Sequence, residues 1–156
     1  MKVQIRKILC PTDFSPNSEH ALLYGIALAS AYQAQLKLLH VVELPVIAAA
    51  DYYTGMGFTP EEVGRFKEAA GEQLENRLKE IQKEYTNATC ELASGTPFVE
   101  IIRVAKDDTS DLIVLGTHGR SGLAHMLIGS VAEKIVRKAP CPVLTVKHPE
   151  HEFVMP

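Results

Sequence analysis

One stretch of the chain combines residue types and a spacing that suit a single chemistry. GTHGRSGLAHMLIGS puts glycine at Gly116, Gly119 and Gly129, with the Ser130 hydroxyl beside the last of them. A backbone without Cβ atoms can approach a ligand closely and take up positive φ, so the amide hydrogens of GTHG can be aimed at an anion. Gly129 and Ser130 directly precede a helical pattern. The orphan N–H groups of a helix first turn, and the dipole behind them, favour negative charge, and Ser130 adds a hydroxyl donor. Two such donor groups, joined by a nine-residue excursion, would clasp a polyphosphate between them. His118 and Arg120 flank the second glycine, and a guanidinium there would add charge-assisted bonds of roughly 1.5 to 3 kcal/mol. A solvated loop accounts for both side chains equally well. Glycine at a strand-to-helix junction and serine at a helix start also have architectural uses; the combination at one edge is what favours a ligand.

Other chemistries lack their residues. There is no GxxxxGK[ST], hence no lysine of the kind that bridges β- and γ-phosphates in P-loop enzymes, and no GxGxxG after a strand. No GxSxG, HExxH or paired glutamate motif occurs, and no general base is evident near the glycines unless Asp13 or His118 serves. Cys10, Cys90 and Cys141 have no paired spacing, which argues for small buried hydrophobes rather than a disulfide framework or metal site. His148 and His151 in the tail HPEH have loose metal-ligand spacing but no third partner nearby in sequence, and read as an ordinary tail.

Composition narrows the class. The 156 residues, 46% of them hydrophobic, suit one domain spanning 1–156. A net charge of −3 lacks the basic excess that nucleic acid or an anionic membrane surface would require. The apolar run Ile8 to Cys10 is far too brief for a signal peptide, and Ala21 to Tyr32 is too short to span a bilayer. A soluble, cytoplasmic protein is expected.

The elements that must position the glycines follow from periodicity. Short apolar runs at Lys7–Cys10, Leu36–Val42, Ala88–Ala93, Asp111–Leu115 and Pro142–Val146 read as strands, three of them apolar enough to be covered on both faces. Helical patterns lie between. The first starts at Ser15-Pro16 with Leu22, Ile26 and Ala29 inward. The second starts at Thr59, with capping-box spacing to Glu62 and a stripe of Phe66, Ala70, Leu74, Leu78 and Ile81. A third follows Pro97 and carries Ile101, Ile102 and Ala105 inward. The fourth starts near Ser130, has Val131, Ile135 and Ala139 four apart, and stops at Pro140. Strict alternation of strand and helix with right-handed crossovers gives an open doubly wound parallel α/β sheet, which binds ligands beyond the carboxyl ends of its strands where the winding reverses. CPTDFS and GTHG, after the first and fourth strands, are therefore the places to look. Leu44 to Thr59 is long for a connection and is either a lid or interface segment or an insertion.

The motif G-x-x-G-x9-G-[S/T], together with KILCPTDFS near the start and APCPVLTVK near the end, resembles the ATP-binding universal stress proteins over Lys7 to about Lys147. The resemblance implies a Rossmann-like, adenine nucleotide alpha hydrolase-like sheet of order 3-2-1-4-5, a role in stress response, and a homodimer through the fifth strand, Pro142 to Val146. It makes Gly116, Gly119, Gly129 and Ser130 phosphate and ribose contacts, with Val131 adding a backbone amide. Pro11, Thr12 and Asp13 would line the nucleoside, and Val41 would meet the adenine. The ATP would carry Mg²⁺ or Mn²⁺ held mainly by its phosphates. A carboxylate beside a triphosphate is repelled, so Asp13 would face the ribose hydroxyls or the cation; capping the turn before the first helix is its alternative task. Three functions compete: a nucleotide-dependent binding protein with at most slow hydrolysis, an ATPase or nucleotidyl-transfer enzyme, and a scaffold that leaves the site unused. The intact motif disfavours the last, and the missing acid–base groups disfavour the second.

Overall fold

The computed structural model describes residues 3–43, 58–118 and 128–149. The elements run β1 (Lys7–Thr12), α1 (Pro16–Tyr32), β2 (Gln35–Val42), α2 (Pro60–Glu84), β3 (Ala88–Ser94), α3 (Pro97–Asp107), β4 (Leu112–Gly116), α4 (Ser130–Lys138) and β5 (Val143–Val146). The five strands form one parallel sheet of order β3-β2-β1-β4-β5. This is the doubly wound arrangement expected from the alternation of elements.

Side-chain parity builds the two layers. Ile8, Cys10, Leu36, Leu38, Leu112 and Val114 point to one face, where Leu22, Ala29, Leu74 and Ile81 of α1 and α2 cover them. Leu9, Leu39, Ile113 and Leu115 point to the other, against Ile101, Val104, Ala132 and Ile135 of α3 and α4. Each fully buried leucine or isoleucine contributes about 1.5–3 kcal/mol, so strands covered on both sides must be apolar at successive positions. That is why the runs looked continuous in sequence.

The helices start where their caps are. The Ser15 hydroxyl accepts the Ser18 amide, with Pro16 in the first turn. Thr59 and Glu62 form the full capping box. The inward stripes differ in part from expectation. Phe66 is 54% exposed and meets the ring of Phe58 edge-on, because the first turns of α2 carry little against the sheet before Leu74. In α3, Val104 rather than Ile102 is the buried neighbour of Ile101. In α4 the buried residues are Ala132 and Ile135, which leaves Val131 exposed. The segment Leu44 to Thr59 lies outside the described residues except for its last two, Phe58 and Thr59.

The pairing of β1 differs on its two sides. Against β2 it is in register along its whole length, Lys7↔Gln35 to Thr12↔His40. Against β4 it pairs only at Ile8↔Leu112 and Leu9↔Ile113. The amino end of this seam is held firmly: the Arg6 and Lys7 amides donate to the Asp111 carboxylate at 2.8 and 3.0 Å, and the Asp111 amide donates to the Lys7 carbonyl at 2.9 Å. Beyond Leu9 the ladder ends, and Pro11, which has no N–H to give, sits where no β4 partner asks for one. The carboxyl ends of β1 and β4 thus flank an unpaired seam at the point where the winding reverses.

Candidate functional site

The turn after β1 forms the first wall of this seam. Thr12 is buried, and its hydroxyl accepts the Phe14 amide at 3.0 Å and shares a hydrogen bond with Ser18 at 3.1 Å. Asp13 accepts the Ser15 amide at 3.0 Å, the turn-capping task foreseen as its alternative. Phe14 adopts φ 61, a left-handed conformation that is uncommon outside glycine. Its ring rests on His40, centroids 4.5 Å apart, and His40 donates from Nδ1 to the Thr12 carbonyl at 2.8 Å. His40 is therefore a positioning residue missed in the sequence reading. The available signal was an imidazole inside the otherwise apolar run LKLLHVV, near its carboxyl end. Pro11 is half-buried, and Val41 lies one position past the Thr12↔His40 pair, packed toward α3 and α4.

The turn after β4 forms the second wall. A Cβ on Gly116 would stand 2.9 Å from the Asn17 carbonyl oxygen, so this glycine lets the first turn of α1 close on the end of β4. Thr117 and His118 are buried, and the Thr117 hydroxyl and His118 Nδ1 are 2.9 Å apart. The Thr117 amide donates to Val146, which extends the pairing to β5. The Gly129 amide donates to the Thr117 carbonyl at 2.6 Å. The two glycine-bearing ends of GTHGRSGLAHMLIGS are thus bonded to each other. Gly119 and Arg120 lie outside the described residues.

The start of α4 faces the same edge. Gly129 is its N-cap at φ −70, ψ 154, an extended conformation that any residue adopts, and it supplies no side chain to the first turn. Ser130 is the first helical residue, not the cap, so its hydroxyl is not committed to capping as the architectural explanation required. Both Ser130 and Val131 are exposed. Glu133, the first-turn acid, pairs with Arg137 one turn further along at 2.9 Å.

Uncapped amides, a hydroxyl and a strand-end crevice together suit an anionic ligand. A hollow of about 550 Å³ lies between α1 and α2 and is lined by Phe14, Glu19, Glu72, Gln73, Arg77 and Glu80 among others. It repels polyphosphate: its glutamates outnumber Arg77, whose guanidinium is held by Glu19 at 2.7 Å and Glu80 at 2.8 Å. The thiol of Cys10, buried beneath α1 at Gly25, is pushed up to about 12 by burial and stays protonated. No helix among the described residues is long and apolar enough to cross a membrane.

Known proteins repeat this architecture. The Universal stress protein family model matches residues 4–147. Universal stress protein MJ0577 of Methanocaldococcus jannaschii is 33% identical over 94% of this chain and 98% of its own. The solved structure of UspA from Lactobacillus plantarum superposes with a TM-score of 0.80 at 25% identity, over 93% of this chain and 99% of that one. A universal stress protein solved in complex with cAMP shares the fold at a TM-score of 0.62 and 22% identity, over 91% and 97% of the two chains. Matched along nearly all its length by the family model and by a relative of the same size, this chain belongs to the universal stress protein family.

Proposed function

We propose that the protein binds ATP in the crevice between the carboxyl ends of β1 and β4 and acts as a nucleotide-dependent binding protein in the stress response, with at most slow hydrolysis. The observation that carries this reading is the end of the β1–β4 ladder at Leu9↔Ile113, beside a helix that opens without a side-chain cap. Phosphate oxygens would take the amides of Ser130 and Val131, the Ser130 hydroxyl and the GTHG backbone of Gly116 and Gly119. Arg120 and His118 would add donors. Pro11, Thr12 and Asp13 would border the nucleoside and Val41 the adenine. The Asp13 carboxylate, with one oxygen already on Ser15, would keep to the ribose side. Mg²⁺ or Mn²⁺ would ride mainly on the phosphates and screen their charge. A cAMP complex within the family supports an adenine nucleotide as the ligand class.

The same reading makes the protein a single-domain homodimer joined through β5. Leu144 and Val136 are 37% and 50% exposed there, and β5 pairs with β4 on one side only. An edge strand of that composition is ordinarily covered.

The test is to purify the protein, release small molecules with acid and identify them by chromatography and mass, then titrate ATP with Mg²⁺ by calorimetry. Recovered or titratable ATP is expected, with Gly119→Val blocking it and leaving the melting curve in place. Neither retained nucleotide nor measurable ATP binding would reject the reading in favour of a scaffold. Turnover at enzymatic rates would place the protein among ATPases.

A further inference from the structure

Past the carboxyl end of β5, on the α1 side of the sheet, two histidines far apart in sequence come together. His20 lies in the first half of α1, and His148 follows β5 by two positions; both are half-buried. Their ring centroids are 5.3 Å apart with planes at 64°. We propose that His20 and His148 bind a divalent transition-metal ion of the zinc class, which fastens the chain beyond β5 to α1.

The spacing admits such an ion. With Zn–N bonds of about 2.0–2.1 Å and each nitrogen about 1.2 Å from its ring centre, two imidazoles on one tetrahedral ion have centres about 5.2 Å apart. Mg²⁺ and Ca²⁺ prefer all-oxygen shells, so an imidazole pair selects against them. An edge-on ring contact is also an ordinary packing geometry at this distance, so metal binding itself is the property that marks a site. His20 already has an edge-on aromatic neighbour in Tyr24, at 5.4 Å and 71°, and the core of this face is supplied by aliphatic side chains. Partial exposure leaves room for water in the remaining positions. The described residues hold no cluster of three His, Cys, Asp or Glu, so the imidazoles are the protein ligands the structure fixes. His151, three positions on from His148, lies outside the described residues, and the proposal does not rest on it. HPEH lacked a third partner in sequence because the partner it meets is 128 positions earlier on another element, at His20.

The experiment uses the full chain freed of nucleotide, since ATP itself chelates metals. Zinc titrated by calorimetry should bind at one site per chain and raise the melting temperature, because an ion that binds only the folded state stabilises it. Mg²⁺ at the same concentration should do neither. His20→Gln and His148→Gln should each weaken zinc binding at least tenfold and leave metal-free melting in place. In the parent chain, zinc should displace the ring NMR signals of both His20 and His148, a readout that needs no variant. Absence of zinc binding, or full zinc binding retained in His20→Gln, overturns the proposal. ATP binding should persist in both variants, so this result and that for the crevice are separable.

Discussion

At the scale of single residues, two close approaches hold the first helix down on the sheet. A Cβ on Gly25 would overlap Sγ of Cys10, yet it would be an ordinary 3.8 Å from Cys10 Cβ. Glycine in mid-helix ordinarily costs about 1 kcal/mol against alanine, so here the penalty is accepted to let α1 sit above the thiol. Gly25→Ala alone should destabilise the protein by about 1–3 kcal/mol through overpacking. In a Cys10→Ala background the same change should be neutral or stabilising by up to about 1 kcal/mol, since the sulfur it strikes is gone. Urea denaturation of the four members of this cycle measures the coupling; equal penalties in both backgrounds would refute the contact. Gly116 behaves differently, because the atom it clears is backbone, the Asn17 carbonyl, which no partner substitution removes. Of these requirements the sequence told one half. It marked Gly116 as special because it ends a buried run beside a motif. It left Gly25 unremarked, since a mid-helix glycine acquires its reason only from the residue another element brings underneath.

At the scale of elements, the helix starts divide by what closes them. α1 uses Ser15, and α2 uses Thr59 with Glu62, whose carboxyl is held below the usual range by hydrogen bonds from the Thr59 backbone and hydroxyl. α3 and α4 make no side-chain cap bond. If the open start of α4 is a phosphate seat, a carboxylate placed there should compete for it. Gly129→Asp fits the extended backbone at that position and is expected to leave stability unchanged or improve it by a few tenths of a kcal/mol. ATP affinity should fall at least tenfold, because the new side chain occupies the amides and repels the ligand. Calorimetry beside thermal melting separates the two effects; unchanged affinity would exclude α4 from the site. Caps were legible in sequence because a cap is a local event, settled within four residues. Stripes were less so. Phe66 and Val131 satisfied helical spacing and still ended exposed, because how far a helix overlaps its sheet is decided by the elements on either side.

At the scale of the whole molecule, the doubly wound parallel sheet and its two layers followed from alternation and handedness, which are global rules with few exceptions, whereas the order 3-2-1-4-5 came from the resemblance to the universal stress proteins. What no pattern announced was the uneven seam, paired at Ile8 and Leu9 and parted beyond them, or the His40 and Phe14 contact that shapes one lip of it. Those depend on how far each strand runs before it bends. The outer strand carries the remaining prediction. If β5 joins two copies, Leu144→Lys should convert a dimer to a monomer in light scattering, with the secondary structure seen by circular dichroism retained. A parent chain that is already monomeric would dismiss the interface.

The seam between β1 and β4 also has a mechanical meaning. It is bolted at one end by Asp111 against the Arg6 and Lys7 amides; at the other the strands are unpaired and are braced instead by α1, whose first turn rests on Gly116. Thr117 and Val146 keep β4 and β5 laced to their tips, so the far lip of the crevice is the end of a two-strand leaf rather than of a lone strand. That leaf ends at the rim of the sheet, on the far side from β3, so crevice and rim share one rigid pair of strands.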